Sequence, residues 1–416
     1  MTSQEENELL THTGPGTPGG DLMRRFWQPV ALYDELPTGS APIPVRLLGQ
    51  DLVLFRDERG QPGLLGLHCA HRGADLSYGR IEDGGLRCIY HGWLYDVHGR
   101  CLEQPGEPAG STFHERIRQT AYACIEQCGL IFAYLGPGQP PLLPAYEFLS
   151  APKERRFATK YFQECNYLQG NEGNLDQTHF SFLHRRLHYG PEDHGAYVIE
   201  DVAPTLEPEE TDFGIRVYSV RHLRSGRNHV KISNFLPPNV AAFSGGIRDG
   251  YSVHYHVPID DTHHWKYLLH FSRSAPLGER TGQVFGAELG PDYRLRLTKA
   301  NRYLQDREEM KAATFSGMGD FFHAQDACVT EGAGTIQDRT GEHVAYSDRA
   351  IVVARKILLQ AIRDVQAGRD PHYVIRDESE NLFPELVARA DELSGDVDWH
   401  EHWKTVPKHQ HVGAPA

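Results

Sequence analysis

The chain has 416 residues, with 42 Lys+Arg against 56 Asp+Glu, a formal charge of −14, 24 His and 7 Cys. That length supports two or three domains with large cores, and the ordinary composition excludes wholesale disorder, collagen and coiled coil. The acidic balance argues against a general binder of nucleic acid or anionic membrane. No apolar run reaches a membrane span, mean hydropathy is −0.51, and the start MTSQEENELL lacks an apolar signal core, so a cytoplasmic location is expected. An odd cysteine count in such a chain points to ligands or buried thiols rather than disulfides.

Residues 1–25 read as an N-terminal segment packing on the larger domain, with about the first 15 and last 10 residues of the chain as mobile tails. Between 26 and 144, short β-type runs alternate with Gly-rich turns: Val45–Leu48, Leu52–Arg56, Leu64–His68, Leu86–Tyr90 and Leu130–Leu135. This is the spacing of a small all-β domain. The run Gly136-Pro137-Gly138-Gln139-Pro140-Pro141-Leu142-Leu143-Pro144 closes it, because such a segment fits neither a helix nor a central strand.

From 145 to 416 the pattern changes. A helical stretch over Leu168–Arg186 leads into candidate strands near Phe213–Leu223, His229–Phe235, Asn239–Ser244, Tyr251–Val257 and Trp265–Phe271. The C-terminal third reads as helical. Its best-marked helix has Ser347 as N-cap, Ile351, Ile357, Leu358, Ile362 and Val365 on one face, and Gly368 and Pro371 as the stop. An antiparallel sheet followed by a long helix is an α+β pattern.

The first chemical constellation is Cys69-x-His71 followed, sixteen residues later, by Cys88-x2-His91. Two thiolates and two imidazoles in short pairs make a four-ligand metal site: a structural zinc, or an iron–sulfur cluster with two His on one iron. Each pair holds one Cys and one His, so two similar loops can each serve both irons. No helix carries a His pair as in a zinc finger, and Gly73 and Gly92 let backbone approach. These features favour the cluster. Cys124-x3-Cys128 reads as buried strand thiols, and Cys101, Cys165 and Cys328 fit no ligand position.

The second constellation is Asp176-x2-His179-x4-His184. Asp176 and His179 are i,i+3 neighbours on a helix face. His179 and His184 lie about 140° apart on an ideal helix, so one metal reaches both only where the helix bends or breaks. Two His plus a distant carboxylate, with open positions, is the facial triad of non-haem Fe(II) oxygenases. Such an iron needs electrons singly, and a cluster with two His supplies them.

Cys69-x-His71-Arg72-Gly73 and Cys88-Ile89-Tyr90-His91-Gly92-Trp93, followed about ninety residues later by Asp176-x2-His179-x4-His184, resemble the Rieske non-haem iron aromatic-ring-hydroxylating oxygenases. The similarity is to the phthalate dioxygenase, phenoxybenzoate dioxygenase and aryl O-demethylase type of oxygenase (alpha) subunit, and extends to EENELLTHTGPGTPGGDLMRRFWQPV and DRTGEHVAYSD. It implies an α+β chain with an N-terminal all-β Rieske domain (26–144) and a C-terminal helix-grip catalytic domain (145–416).

By the same resemblance Cys69, His71, Cys88 and His91 bind a Rieske [2Fe–2S] cluster, with both Cys on one iron and both His on the other. His179 and His184 bind a mononuclear Fe(II), with Asp326 of His323-Ala324-Gln325-Asp326 as third ligand and Asp338 and Asp348 as rivals. Asp176 is expected to hydrogen-bond His179 and, across a subunit boundary, His91 of a neighbour, which makes a homotrimer or stacked hexamer the working unit. Asn174 or Asn171 is a candidate amide near the iron, with helix capping an equal explanation for either.

Electrons come from a separate NAD(P)H-dependent reductase with flavin and a ferredoxin-type [2Fe–2S] centre, because the chain has no dinucleotide fingerprint and no four-cysteine ferredoxin spacing. The expected substrate is a small aromatic carboxylic acid, clamped by Arg216, Arg221, Lys231 or Arg248. The reaction is ring cis-dihydroxylation or, alternatively, O-demethylation by a Rieske monooxygenase. A non-catalytic Rieske electron-transfer protein is a distant alternative, and a zinc-stabilised binding protein a third.

Overall fold

The computed structural model describes residues 2–190, 195–245, 247, 249–277 and 279–405. The chain begins with helix α1 (Gln4–Thr11), started by a capping box in which Ser3 Oγ accepts from Glu6 N and Glu6 returns a bond to Ser3 N. Helix α2 (Pro18–Met23) has proline in its first turn and Thr17 as cap. Both pack on the long helix α8 (Arg349–Gln366), burying Asn7, Leu10, Leu22 and Met23. The expectation of a mobile N-terminal tail fails here: capping and apolar burial tie the segment down.

The all-β domain contains an antiparallel sheet with spatial order β1-β10-β9-β4-β3-β2, comprising β1 (Gln28–Leu32), β2 (Ile43–Leu47), β3 (Gln50–Arg56), β4 (Pro62–Gly66), β9 (Ala121–Gln127) and β10 (Leu130–Tyr134). A smaller sheet is inserted into it: β5 (Arg80–Glu82), β6 (Gly85–Arg87), β7 (Leu94–Tyr95) and β8 (Cys101–Glu103). The expected strand Leu86–Tyr90 stops at Arg87, because Cys88 opens a loop. A separate small core of Val53, Leu65, Leu76, Leu86, Trp93 and Tyr95 supports these loops.

After β11 (Arg156–Gln163) come helix α3 (Tyr167–Leu175), a short α4 (Tyr197–Glu200) and a meander of β12 (Thr205–Thr211), β13 (Gly214–His222), β14 (Arg227–Leu236), β15 (Val240–Phe243), β16 (Gly250–Pro258) and β17 (His264–Ser272). Their spatial order is β11-β17-β16-β15-β14-β13-β12, and β18 (Arg389–Ser394) pairs with β14. That last strand corrects the expectation of an all-helical C-terminal third. Helices α5 (Glu279–Glu288), α6 (Glu309–Ala312) and α7 (Phe322–Gly332) precede α8.

The register sorts side chains by parity. Ser219, Arg221, His229, Lys231, Phe243, Ser252, His254, His256, Lys266 and Tyr161 share the face that supports α3. On the opposite face Tyr251 and Tyr255 meet Phe148 and Phe132, and Lys160 pairs with Glu35 at 2.7 Å, joining sheet and all-β domain. Helix α8 buries Ile357, Leu358, Ile362 and Val365 as its sequence implies. Its N-cap is Asp348 rather than Ser347, because a 3-10 turn over Tyr346–Asp348 runs into the first helical turn. Among the described residues no helix is long and apolar enough to cross a membrane.

Candidate metal centres and substrate pocket

Two matching loops present the Cys/His set. Gly73 N donates to Cys69 O at 2.8 Å and Gly92 N to Cys88 O at 3.0 Å, each glycine having positive φ (73° and 76°) that closes the loop. Cys69 and Cys88 are buried, while His71 and His91 lie side by side with ring centroids 4.5 Å apart. Trp93 stacks on His71 at 4.4 Å. His71 Nδ1 is buried without a hydrogen-bond partner among the described residues, as a lone pair reserved for a metal would be. Tyr95 Oη lies 3.2 Å from Cys69 Sγ and can donate to a thiolate there. The donor set and the orphaned nitrogen fit a [2Fe–2S] cluster held by two Cys and two His.

The second centre forms where α3 ends. The expected single helix over Leu168–Arg186 stops at Leu175, Asp176 caps it, and His179–Ser181 is a 3-10 turn. This is the break that a shared metal requires. It brings His179 Nε2 within 3.1 Å of His184 Nε2, while Asp326 Oδ1 on α7 lies 3.0 Å from His184 Nε2 and 3.8 Å from His179 Nε2.

The protons explain what this cluster is for. Gln325 Nε2 donates to Gly319 O at 2.5 Å, which turns Gln325 Oε1 toward His184 Nδ1 at 2.6 Å. Nδ1 must therefore carry the proton, leaving Nε2 a bare lone pair. His179 Nδ1 faces Asp176 Oδ2 at 3.7 Å, which likewise directs its Nε2 to the cluster. Three acceptors then converge with no proton between them, an arrangement that a cation resolves. Among the described residues this is the group of three donors, all within 4.8 Å, suited to a metal ion. Burial works against the Asp326 carboxylate, and on its Oδ2 side the Lys266 ammonium favours the ionised form. The rivals Asp338 and Asp348 are spent at turns, accepting from Thr340 N and Ala345 N.

Asn174 is fixed by a directed chain. His264 Nδ1 can only donate to Cys165 O (2.8 Å), so its Nε2 accepts from His256 Nδ1 (3.0 Å). His256 Nε2 then accepts from Asn174 Nδ2 (2.6 Å), and Asn174 Oδ1 accepts from His254 Nδ1 (3.1 Å). Burial, reinforced by Lys266, keeps all three imidazoles neutral. Gly170 is obligatory beside this chain, since a Cβ there would lie 2.5 Å from His256 Nδ1.

A narrow cleft adjoins the metal centre, lined by Phe180, Tyr197, Ser219, Arg221, His229 and Lys231. The candidate clamps separate sharply. Arg216 lies on the opposite sheet face, bound to Glu209, Glu385 O and the Trp403 ring. Arg221 is consumed by Ser181 Oγ, Gln177 O and Asp201 O, tying down the turn before His184. Arg248 lies outside the described residues. Lys231 is buried, with Nζ 4.0 Å from the Phe180 ring centroid and, among the described residues, no carboxylate within ion-pair reach, the Asp326 charge acting on it from farther off. Burial and then Arg221 push its pKa down to about 7. Sequence reasoning passed over Gln325's role, Lys266 and the His254–His256–His264 chain. The one signal for the last two was an excess of His and Lys at alternate positions of strands β16 and β17.

Comparison with known proteins agrees with this architecture. Residues 26–121 match the Rieske [2Fe-2S] domain and residues 133–411 the family described as LigXa C-terminal domain like. The chain is 34% identical to the phthalate 4,5-dioxygenase oxygenase subunit of Pseudomonas putida, over 97% of this chain and 95% of that one. It is 33% identical to the 5,5'-dehydrodivanillate O-demethylase oxygenase subunit of Sphingobium sp., over 92% and 85%. Among solved structures, the caffeine-bound NdmA variant of Pseudomonas putida CBB5 superposes with a TM-score of 0.61 at 19% identity, covering 86% of this chain and 97% of that one. The chain belongs to the Rieske non-haem iron oxygenases, in the group with a LigXa-like C-terminal domain. It is an oxidoreductase that carries a Rieske [2Fe–2S] domain, and His179, His184 and Asp326 form a second site suited to a metal ion.

Proposed function

We propose that this chain is the terminal oxygenase of a multicomponent system that hydroxylates an aromatic carboxylic acid. Cys69 and Cys88 hold one iron of the cluster, His71 and His91 the other, and His179, His184 and Asp326 hold the mononuclear iron(II). When bound, the cluster supplies electrons singly and the iron(II) centre activates O2. The residues divide the remaining work. Gln325 and Asp176 keep the two imidazoles in the ligating tautomer. Asn174, locked by His254 and His256, presents a fixed amide beside the iron ligands. Arg221 holds the ligand turn, and Phe180 and Tyr197 wall the pocket.

The observation that carries the substrate class is Lys231, a buried amine in an aromatic-lined cleft beside the iron ligands, with no carboxylate of the described residues in direct ion-pair contact and only the more distant Asp326 to attract it. A substrate carboxylate would supply that charge, with the ring against Phe180. The relatives named for phthalate and for dehydrodivanillate support ring cis-dihydroxylation and O-demethylation equally.

Two exposed apolar patches support the expected assembly. Ile89 and Tyr90 stand beside His91, while Phe182, Phe315 and Phe322 stand beside His179 and His184. Joined between copies, they would bring Asp176 toward His91 of a neighbouring copy, the arrangement expected of a homotrimer or stacked hexamer. The electron donor is a separate reductase; carbazole 1,9a-dioxygenase, a structural neighbour, is seen in complex with a ferredoxin.

The test is coupled turnover under 18O2 with a flavin/ferredoxin reductase, NADH and a panel of benzoates, phthalates, phenoxybenzoates and methoxylated benzoates. Two labelled oxygens on a dearomatised ring identify a dioxygenase; formaldehyde with a demethylated phenol identifies a demethylase. Turnover of uncharged aromatics in preference to every acid would refute the carboxylate reading.

A further inference from the structure

Lys266 stands on β17, opposite Tyr161 of β11 and His256 of β16, and its side chain rises from the sheet face beneath α7. Only 2% of it is exposed. Its Nζ lies 5.6 Å from the Tyr161 ring centroid and 3.8 Å from Asp326 Oδ2, the one carboxylate within ion-pair reach among the described residues. Asp326 thus divides its oxygens. Oδ1 faces His184 Nε2 and His179 Nε2, and Oδ2 faces Lys266.

A buried ammonium is costly, and a methionine would fill the same space without that cost. For metal binding alone the lysine is also counterproductive, because its charge repels a divalent ion held by the same carboxylate. Its effect falls instead on the direction of the carboxylate. A carboxylate bound through both oxygens, with two imidazoles, takes four positions of an octahedral shell; bound through one, it takes three. We propose that Lys266 is a positioning residue that holds Asp326 Oδ2 off the metal, so that Asp326 ligates through Oδ1 alone and one further coordination position stays open. This rests on the assignment of His179, His184 and Asp326 as the metal set.

The test uses the full chain with its cluster intact, the mononuclear metal removed by chelation and Co(II) titrated in. Co-edge X-ray absorption then reports that site alone, free of cluster iron. The wild-type spectrum should show a one-oxygen carboxylate. Lys266→Met should shift it to two-oxygen binding and tighten Co(II) about tenfold or more, because a repelling charge has gone. Lys266→Arg should restore the one-oxygen mode. A merely structural lysine would predict weaker binding or none of these changes. A two-oxygen carboxylate in wild type, which needs no variant to fold, overturns the proposal, as does a Lys266→Met protein with unchanged spectrum and affinity. Failure of wild type to take Co(II) at all would instead overturn the metal-site assignment on which the proposal stands.

Discussion

Replacing Lys231 by Met separates stability from function. Burial, then Arg221, lowers this ammonium from 10.5 to about 7. A lysine whose folded pKa lies below its unfolded one costs stability wherever the unfolded chain would bind the proton. The penalty is absent above pH 10.5, grows as pH falls to about 7, and is constant below that. At about 1.4 kcal/mol per tenfold in acidity, the cost near neutrality is about 4 kcal/mol. Lys231→Met should therefore be the more stable protein. If the catalytic domain, roughly 270 residues, melts as a unit, Tm should rise by about 7 °C at neutral pH. The gain should shrink steadily toward pH 10. The same variant should bind an aromatic acid about 10- to 100-fold more weakly and its carboxamide almost unchanged. Calorimetry across pH and equilibrium binding of the acid–amide pair measure both effects. A destabilised variant, or a Tm gap flat with pH, would refute the buried unpaired ammonium and the substrate reading with it.

Other substitutions test separate links. Gln325→Leu frees the His184 ring and should weaken iron binding about 10- to 100-fold, read by titrating the iron-depleted protein while the cluster absorbance stays constant. Tyr95→Phe removes the donor to Cys69 Sγ, so the cluster potential should fall in an EPR-monitored redox titration; an unchanged potential would mean the hydroxyl points elsewhere. Arg339 is buried and holds Glu172 at 2.9 Å against α1 and α8, so Arg339→Met should cost about 3 kcal/mol in denaturant unfolding without altering either metal content. The acid's affinity in the parent should weaken about tenfold per pH unit above pH 7, as the Lys231 ammonium deprotonates.

The residues that were legible from the chain are those whose chemistry is local. Cys69-x-His71 and Cys88-x2-His91 sit on single loops, so spacing alone brings each pair together, and the two equivalent loops do the rest. The angle between His179 and His184 announced a break that hydrophobic pattern did not show, because Leu175 and Leu183 preserve apolar content across it. Asp326 came from family resemblance; nothing in its own neighbourhood distinguishes it from Asp338 or Asp348. What distinguishes it is the packing of α7 on α3, where Gln169 bonds Thr330 O and Gly334 O.

The basic residues show why the rest stayed hidden. Arg216 and Arg221 differ by five along one strand, hence in parity, so no single face can present both to a pocket. Parity alone would still have kept Arg221, and its competitors for the guanidinium, Gln177 O and Asp201 O, lie on other elements. Lys231 and Lys266 are the converse case. Each has a sequence context fit for an exposed strand residue, and each is buried because antiparallel register turns it inward, toward Phe180 in one case and Asp326 in the other. A cation kept where water is excluded needs an anion. For Lys266 the chain provides Asp326 at 3.8 Å, whereas Lys231 feels Asp326 only from farther off and has no carboxylate of the described residues in direct contact, which on the proposed reading leaves the close half of the ion pair for the substrate to bring.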